Sequence, residues 1–356
     1  MTPRQAAWRA GQQALRLVPL RVSGRIFARP ALGLCYHVVS DRALPHVAPL
    51  YPYKSPAHFA ADLRWLKRRH HLLTYDELED AWRSGRGPGR NAVFLSFDDG
   101  YAECFSVARP LLLEHGVPAT LFLATDALDN RRLLAFNQAA LCLDALRGMG
   151  AAAARDALRQ VEDAAGVELP SRAAFAAWVR PATRDPRSAA RATLDRLCAV
   201  LGIDVEGFLA RERPYLTTEQ ARQLAADGFT LGGHTRAHPH LGRLGCARTL
   251  EEEIVESCRV AGELGGRERV PFAFPYDGVG VDRGALAGIL DRHPEIGLVF
   301  GTDQIRRDDA GFIVNRMIVD TPGRGAGSSL PAHLRSAYLD ALLRPPPAGG
   351  AAAGAR

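Results

Sequence analysis

The chain has 356 residues, 47% hydrophobic and 24% charged, which suits a soluble globular protein with one large α/β domain and an accessory piece. No apolar run reaches the roughly 18 residues that a membrane-spanning helix requires. The net charge of +6 is carried by arginine, Lys54 and Lys67 being the only lysines, and is compatible with an anionic partner. No nucleic-acid-binding motif accompanies that charge, so no nucleic-acid partner is expected.

Residues 1–30 form a basic segment. Arginines at 4, 9, 16, 21, 25 and 29 interrupt every candidate signal-peptide core, and the expected location is therefore cytoplasmic. Between Arg4 and Val18, helical spacing gathers Ala7, Gly11, Leu15 and Val18 on one face with Arg9 and Arg16 opposite, and Pro19 ends the run. Such a helix can pack on the protein body or lie on an anionic membrane, so residues 4–18 are a candidate for peripheral contact at the inner membrane surface.

Strand-like segments follow at 32–37, 71–75, 92–97, 119–125, 229–233, 271–276, 296–302 and 312–319, with helical segments between them. Ser55-Pro56 reads as an N-cap followed by a first-turn proline, with Phe59, Leu63 and Leu66 on one helix face. Gly116 and Pro118 close the helix before the fourth strand. Alternation of this kind implies parallel strands with crossover helices, and a deformed (β/α) barrel of about seven strands is the expected fold. Ligands then gather at the C-terminal ends of the strands.

From 129 to 225 the text turns Ala-, Leu- and Arg-rich, with helical periodicity as in Leu194, Leu197, Cys198 and Leu201 and breaks at Gly166, Pro170, Pro181 and Pro186. We read 129–225 as an α-helical insertion, either a structural flap or a lid. The barrel then comprises 31–128 and 226–340, and the low-complexity tail 341–356 is expected to be disordered. Six scattered cysteines without a C-x-x-C pair read as buried, reduced thiols.

Four constellations carry chemistry, each at a strand end. Asn91–Phe97 is an apolar strand that runs into Asp98-Asp99-Gly100. Alternation makes the two carboxylates diverge, so one can face a metal while the other faces a reacting water; ordinary turn chemistry is the alternative. After Phe229-Thr-Leu231 come His234 and His238, which with an acidic partner fit a mononuclear divalent site keeping an open position. His240 in the same run reads as a satisfied structural histidine. Pro275-Tyr276-Asp277 is a turn that can present a main-chain N–H to a developing oxyanion. Leu32–Val38 delivers His37 at its end, a position that is more often structural than catalytic.

In this order the segments resemble the polysaccharide deacetylase family with the NodB homology domain (carbohydrate esterase family 4). Ser96-Phe-Asp98-Asp99-Gly resembles its first motif, His234-Thr-Arg-Ala-His238 its second, and Phe274-Pro275-Tyr276 the aromatic-Pro-Tyr segment after them. Tyr36-His37-Val38 near the N-terminus is similar to the circularly permuted branch that includes the poly-N-acetylglucosamine deacetylases.

The resemblance implies the same barrel and hydrolytic N-deacetylation of an N-acetylated sugar in a polysaccharide, oligosaccharide or glycolipid precursor, with release of acetate. It makes Asp98 the general base, His37 the general acid and Tyr276 the source of an oxyanion-binding N–H. It makes Asp99, His234 and His238 the ligands of a divalent metal, with zinc the first candidate and other divalent ions open. Without a signal peptide, a lipid-linked glycan is one substrate class to consider.

Three features depart from the family pattern. Ala273 stands where an arginine is usual, Asp277 stands where glycine is common in the permuted branch, and no later Leu-x-His motif is evident around His333. Asn315-Arg316 either brings a cation to the site or is a surface feature. Two other functions remain open at this level: an O-acetyl carbohydrate esterase on the same metal site, and a catalytically decayed glycan-binding protein.

Overall fold

The computed structural model describes residues 32–343 except 90, 186, 187, 307, 309 and 323–326. The expected helix at 4–18 lies outside these residues, as does the chain from 344 onward. The last described helix, Leu330–Leu343, runs past residue 341, where the low-complexity tail is expected to start.

Eight strands are described: β1 (Leu32–Tyr36), β2 (His71–Leu73), β3 (Ala92–Phe97), β4 (Thr120–Leu123), β5 (Thr230–Gly233), β6 (Val270–Ala273), β7 (Ile296–Gly301) and β8 (Ile313–Ile318). All their pairings are parallel. Seven strands close a ring in the order β1-β8-β7-β6-β5-β4-β3, with β3 returning to β1. The short β2 pairs with the first residues of β3 and stays outside the ring. This is the deformed (β/α) barrel expected from the alternation of strands and helices.

Local signals place the elements. Ser55 caps helix Pro56–Lys67, its hydroxyl accepting from the His58 N–H, and Pro56 takes a first-turn position that needs no N–H. Thr74 and Glu77 form a reciprocal capping box on helix Tyr75–Arg83. Gly116 ends helix Arg109–His115 in the left-handed conformation that glycine adopts without penalty.

Period-two alternation divides each barrel strand between two cores. Outward residues of β3 and β4 (Val93, Leu95, Phe97, Leu121, Leu123) pack under the helices. Inward residues Phe94, Phe122, Ala273, Leu298, Phe300 and Val314 fill the barrel, with the Phe94 and Phe300 rings stacked at 4.9 Å. The inward row therefore continues upward through Ser96 to Asp98.

Residues 129–225 hold six helices, Ala135–Gly148, Ala151–Arg159, Glu162–Ala165, Arg172–Ala182, Ala190–Val200 and Val205–Glu212, and most of a seventh, Thr218–Ala226. The first five share a separate small core built on Cys142, Leu146, Leu158, Phe175, Leu194 and Leu197. Phe208, Leu209, Ala221 and Leu224 of the last two helices join the barrel's core instead. Thr218–Ala226 thus acts as the crossover helix that feeds β5.

All six cysteines are free, and five are buried; Cys246 is exposed, against the expectation that all would be interior. It precedes helix Ala247–Gly265 at a loop end, where no packing surface covers it. No helix among the described residues is long and apolar enough to cross a membrane.

Candidate active site

The four constellations converge at the C-terminal rim of the barrel. Asp98 and Asp99 leave β3, His234 leaves β5, Tyr276 follows β6, and His37 follows β1. His240 sits beside them, with Nε2 3.0 Å from Asp277 Oδ1, while Asp277 Oδ1 also accepts from the Val279 N–H at 2.9 Å. Asp277 is therefore a turn cap that faces a histidine, whereas His240 Nδ1 is buried without a hydrogen-bond partner among the described residues, so this histidine is not the fully satisfied one expected.

Asp99, His234 and His238 form one cluster. Asp99 Oδ1 lies 3.4 Å from His234 Nε2 and 3.1 Å from His238 Nε2. The backbone of Ala273 sets the orientation of His234: its carbonyl can only accept, so His234 Nδ1, 2.9 Å away, carries the hydrogen and Nε2 presents a lone pair. The side chain that usually stands at position 273 is absent, but the main chain there still serves the site. Glu253 holds the intervening loop by accepting from the Arg236 and Ala237 N–H groups at 2.8 and 3.3 Å.

Burial works to raise the Asp99 carboxyl, but His238 and His234 overcome it and hold the group well below the usual carboxylate range. Burial also lowers His238, against the pull of Asp99, which favours the neutral imidazole a metal needs. Asp99 Oδ1 is nonetheless a buried oxygen without a hydrogen-bond partner. An orphaned carboxylate oxygen facing two imidazole nitrogens is a donor set that fits a divalent cation.

Asp98 points the other way, as strand alternation requires. Arg316 grips it with two parallel bonds, Nη1 to Oδ1 at 2.6 Å and Nη2 to Oδ2 at 2.9 Å. Nη1 also donates to Ser96 Oγ at 2.9 Å, and the Cys35 thiol donates to Asp98 Oδ2 at 3.3 Å. Arg316 is fully buried inside the barrel, its guanidinium 4.9 Å over the Phe122 ring, so the surface reading of this arginine is wrong. Burial pushes the Asp98 carboxyl up, yet the Arg316 guanidinium, with its charge and its hydrogen bonds, leads the groups that outweigh it, and the net shift is downward. Gly33, the register partner of Arg316 on β1, makes room for this side chain. A Cβ at Gly33 would lie 2.7 Å from Arg316 Cγ.

His37 is held by Asp320, which follows β8. The backbone N–H of His37 donates to Asp320 Oδ1 at 2.9 Å, and Nδ1–H donates to Oδ2 at 2.6 Å. A His37 ring nitrogen, Cys35 Sγ and an Asp98 oxygen lie within 4.8 Å of one another. Burial alone would lower the imidazole, but Asp320, with Asp99 and Asp98 behind it, raises its pKa to about 10.

Backbone strain concentrates here. Asp99, Thr235, His238 and Tyr276 have φ of 72°, 64°, 61° and 62°, a region that non-glycine residues avoid unless their surroundings impose it. Tyr276 is also covered from the insertion: Phe136 packs edge-on at 6.3 Å from the Tyr276 ring and tilted at 4.6 Å from the His238 ring, and the Arg184 guanidinium lies 4.6 Å over Tyr276. The Tyr276 carbonyl accepts from the Thr302 hydroxyl, whereas its N–H has no hydrogen-bond acceptor among the described residues.

Sequence reasoning missed Asp320, Cys35, Phe136 and Arg184. Only Asp320 had a usable signal, an acid just past a strand end as at Asp98.

The site is thus a two-histidine, one-carboxylate centre beside a guanidinium-clamped carboxylate, on the rim of a parallel barrel. The sequence profile of the polysaccharide deacetylase family matches residues 85–173, which include Asp98 and Asp99. A stretch of 81 residues is 28% identical to YxkH of Bacillus subtilis (strain 168), whose name assigns it to the same family; the match spans 22% of this chain and 29% of that protein.

Among solved structures, IcaB from Ammonifex degensii superposes with a TM-score of 0.53 at 17% identity, covering 87% of this chain and 96% of that one. The de-N-acetylase from Aggregatibacter actinomycetemcomitans gives 0.52 at 17%, covering 85% and 99%. The deacetylase PplD from Streptococcus pyogenes gives 0.51 at 14%, covering 81% and 92%. These likenesses are of fold. Beside them, the profile match over residues 85–173 and the YxkH match make a part of this chain similar to polysaccharide deacetylases.

Proposed function

We propose that this chain is a metal-dependent N-deacetylase acting on an N-acetylated glycan. The observation that carries this reading is the pairing of the Asp99-His234-His238 cluster with the clamped carboxylate of Asp98 at one barrel rim. Asp99 Oδ1, His234 Nε2 and His238 Nε2 would hold the divalent ion. Such an ion supplies Lewis acidity, polarising the acetyl carbonyl and acidifying water.

Asp98 is the general base. Its two bonds to Arg316 keep it ionised and oriented, and a carboxylate retains further lone pairs to accept a proton from water. His37 is the general acid. Asp320 holds the Nδ1–H and stabilises the imidazolium, which leaves the Nε2 proton for the departing amine. An amide needs such an acid because an amide anion is a very poor leaving group, and this favours an amide over an ester substrate. The unpaired N–H of Tyr276 is suited to a developing oxyanion.

We assign zinc first, from the two imidazole ligands, and a lipid-linked glycan as one substrate class, from the basic segment at 4–18. Acetate release from N-acetylated glycans should cease in Asp98→Asn while metal content is unchanged. Full turnover in that variant would overturn the assignment.

A further inference from the structure

The helical insertion carries a cluster of charge that the chemistry at the rim does not use. A surface cavity of about 340 Å³ lies between helix Ala135–Gly148, helix Arg172–Ala182 and the loop at Pro49. Arg147, Arg172 and Arg180 line it, with small or apolar side chains between them and no carboxylate in its wall.

Two of the three guanidiniums are fixed by main-chain carbonyls. Arg172 Nη1 donates to Leu146 O, Arg147 O and Met149 O at 3.0, 3.1 and 3.3 Å. Arg180 donates from Nη1 to Leu50 O at 3.0 Å and from Nη2 to Pro49 O at 2.9 Å. These carbonyls orient the groups without neutralising them, and among the described residues nothing accepts from Arg172 Nε or Nη2.

None of the three makes an ion pair among the described residues. Arginines on other helices of the insertion do: Arg155 pairs with Glu162, and Arg191 lies 3.7 Å from Asp195. Three like charges gathered at one cavity repel one another, and an anion relieves that repulsion. A pre-oriented guanidinium fork matches the oxygens of a phosphate group.

The cavity also adjoins the mouth of the active site. Leu50, held by Arg180, precedes Tyr51, whose ring lies 5.3 Å from that of His37, and Arg184, in the turn just past the end of the Arg180 helix, lies over Tyr276.

We propose that this cavity binds a phosphate-class oxyanion through Arg147, Arg172 and Arg180. The test is calorimetric titration of inorganic pyrophosphate into the full-length chain, beside Arg147→Glu and Asp99→Asn. Among the described residues the Arg147 side chain makes no hydrogen bond or ion pair, so its replacement should leave the fold intact, and an unchanged thermal transition verifies this. Saturable binding is expected for the parent chain and for Asp99→Asn, weakening as salt screens the charges. In Arg147→Glu, affinity should fall about tenfold or more.

A parent chain that takes up no pyrophosphate overturns the proposal, as does an Arg147→Glu variant that binds as tightly as the parent. Binding lost in Asp99→Asn but kept in Arg147→Glu puts the anion at the metal centre and also overturns it. Co-sedimentation with vesicles of anionic phospholipid, lost in Arg147→Glu, would identify a lipid headgroup as the source of the oxyanion. Pyrophosphate binding without vesicle binding would identify a soluble one.

Discussion

Replacing Arg316 by leucine removes the partner of a carboxylate that lies in the barrel interior with almost no solvent contact. The two Arg316 bonds to Asp98, at 2.6 and 2.9 Å, are lost together with the Nη1 bond to Ser96, leaving an uncompensated buried charge. Removing one partner of a buried pair costs about 3–5 kcal/mol.

The sign of the pH dependence follows from Asp98. In the parent chain its folded pKa is depressed, so its contribution to stability is present above the unfolded carboxylate pKa and is lost as pH falls through the folded value. Without Arg316, the first of the groups that oppose burial is gone, and the folded pKa should rise. The leucine variant should therefore regain part of its deficit as pH falls, because a protonated Asp98 is the cheaper buried form.

Urea denaturation of Arg316→Leu and the parent chain at pH 7 and pH 5 measures this directly. The acid limb of the activity profile should also move to higher pH, since Asp98 must be ionised to accept a proton. A variant with parental stability at pH 7, or with an unmoved acid limb, refutes the clamp as the device that keeps Asp98 charged.

Gly33→Ala tests the same clamp from β1. The new methyl would lie 2.7 Å from Arg316 Cγ, so destabilisation of about 1–3 kcal/mol is expected by thermal or denaturant unfolding, with reduced turnover. Asp320→Asn removes the charge that raises His37 to about 10. A raised histidine contributes stability that is fully present below its unfolded pKa and lost as pH rises through the folded one, so the variant should be less stable than the parent at neutral pH. The alkaline limb of its activity should move to lower pH, read from a pH–rate profile. Chelation should abolish turnover and lower the thermal midpoint. Re-addition of a divalent ion at about 100 times its dissociation constant should restore about 2.7 kcal/mol, and His238→Ala should weaken this response. His37→Ala should depress hydrolysis of an N-acetyl substrate far more than that of an O-acetyl one, as comparative assays would show; equal losses would argue against its role as the acid.

Much of the site is legible in the sequence, because its residues sit in runs with local physical meaning. Asp98-Asp99-Gly100 ends an apolar strand, His234 and His238 follow another, and the β/α alternation directs all of them to one rim. The insertion's helices are also visible in periodicity, although Thr218–Ala226 carries no local sign that it packs on the barrel rather than with its predecessors.

The partners of these residues are not legible in the same way. Arg316 meets Asp98 across 218 residues and Asp320 meets His37 across 283; the place of Asp320 just past a strand end marks it as a candidate, but nothing local names the partner of either residue. The ambiguity at Asn315-Arg316 is real, since a β8 shifted by one residue would turn Arg316 out of the barrel.

The sequence alone determined which side chains are available for chemistry and which end of the strands presents them, because turn residues, caps and hydrophobic period are local properties. Only the tertiary structure decided the company those side chains keep. The closure of β1 against both β3 and β8 sets the register that puts Cys35, Asp98 and Arg316 together, and that register is fixed by packing between segments far apart in the chain.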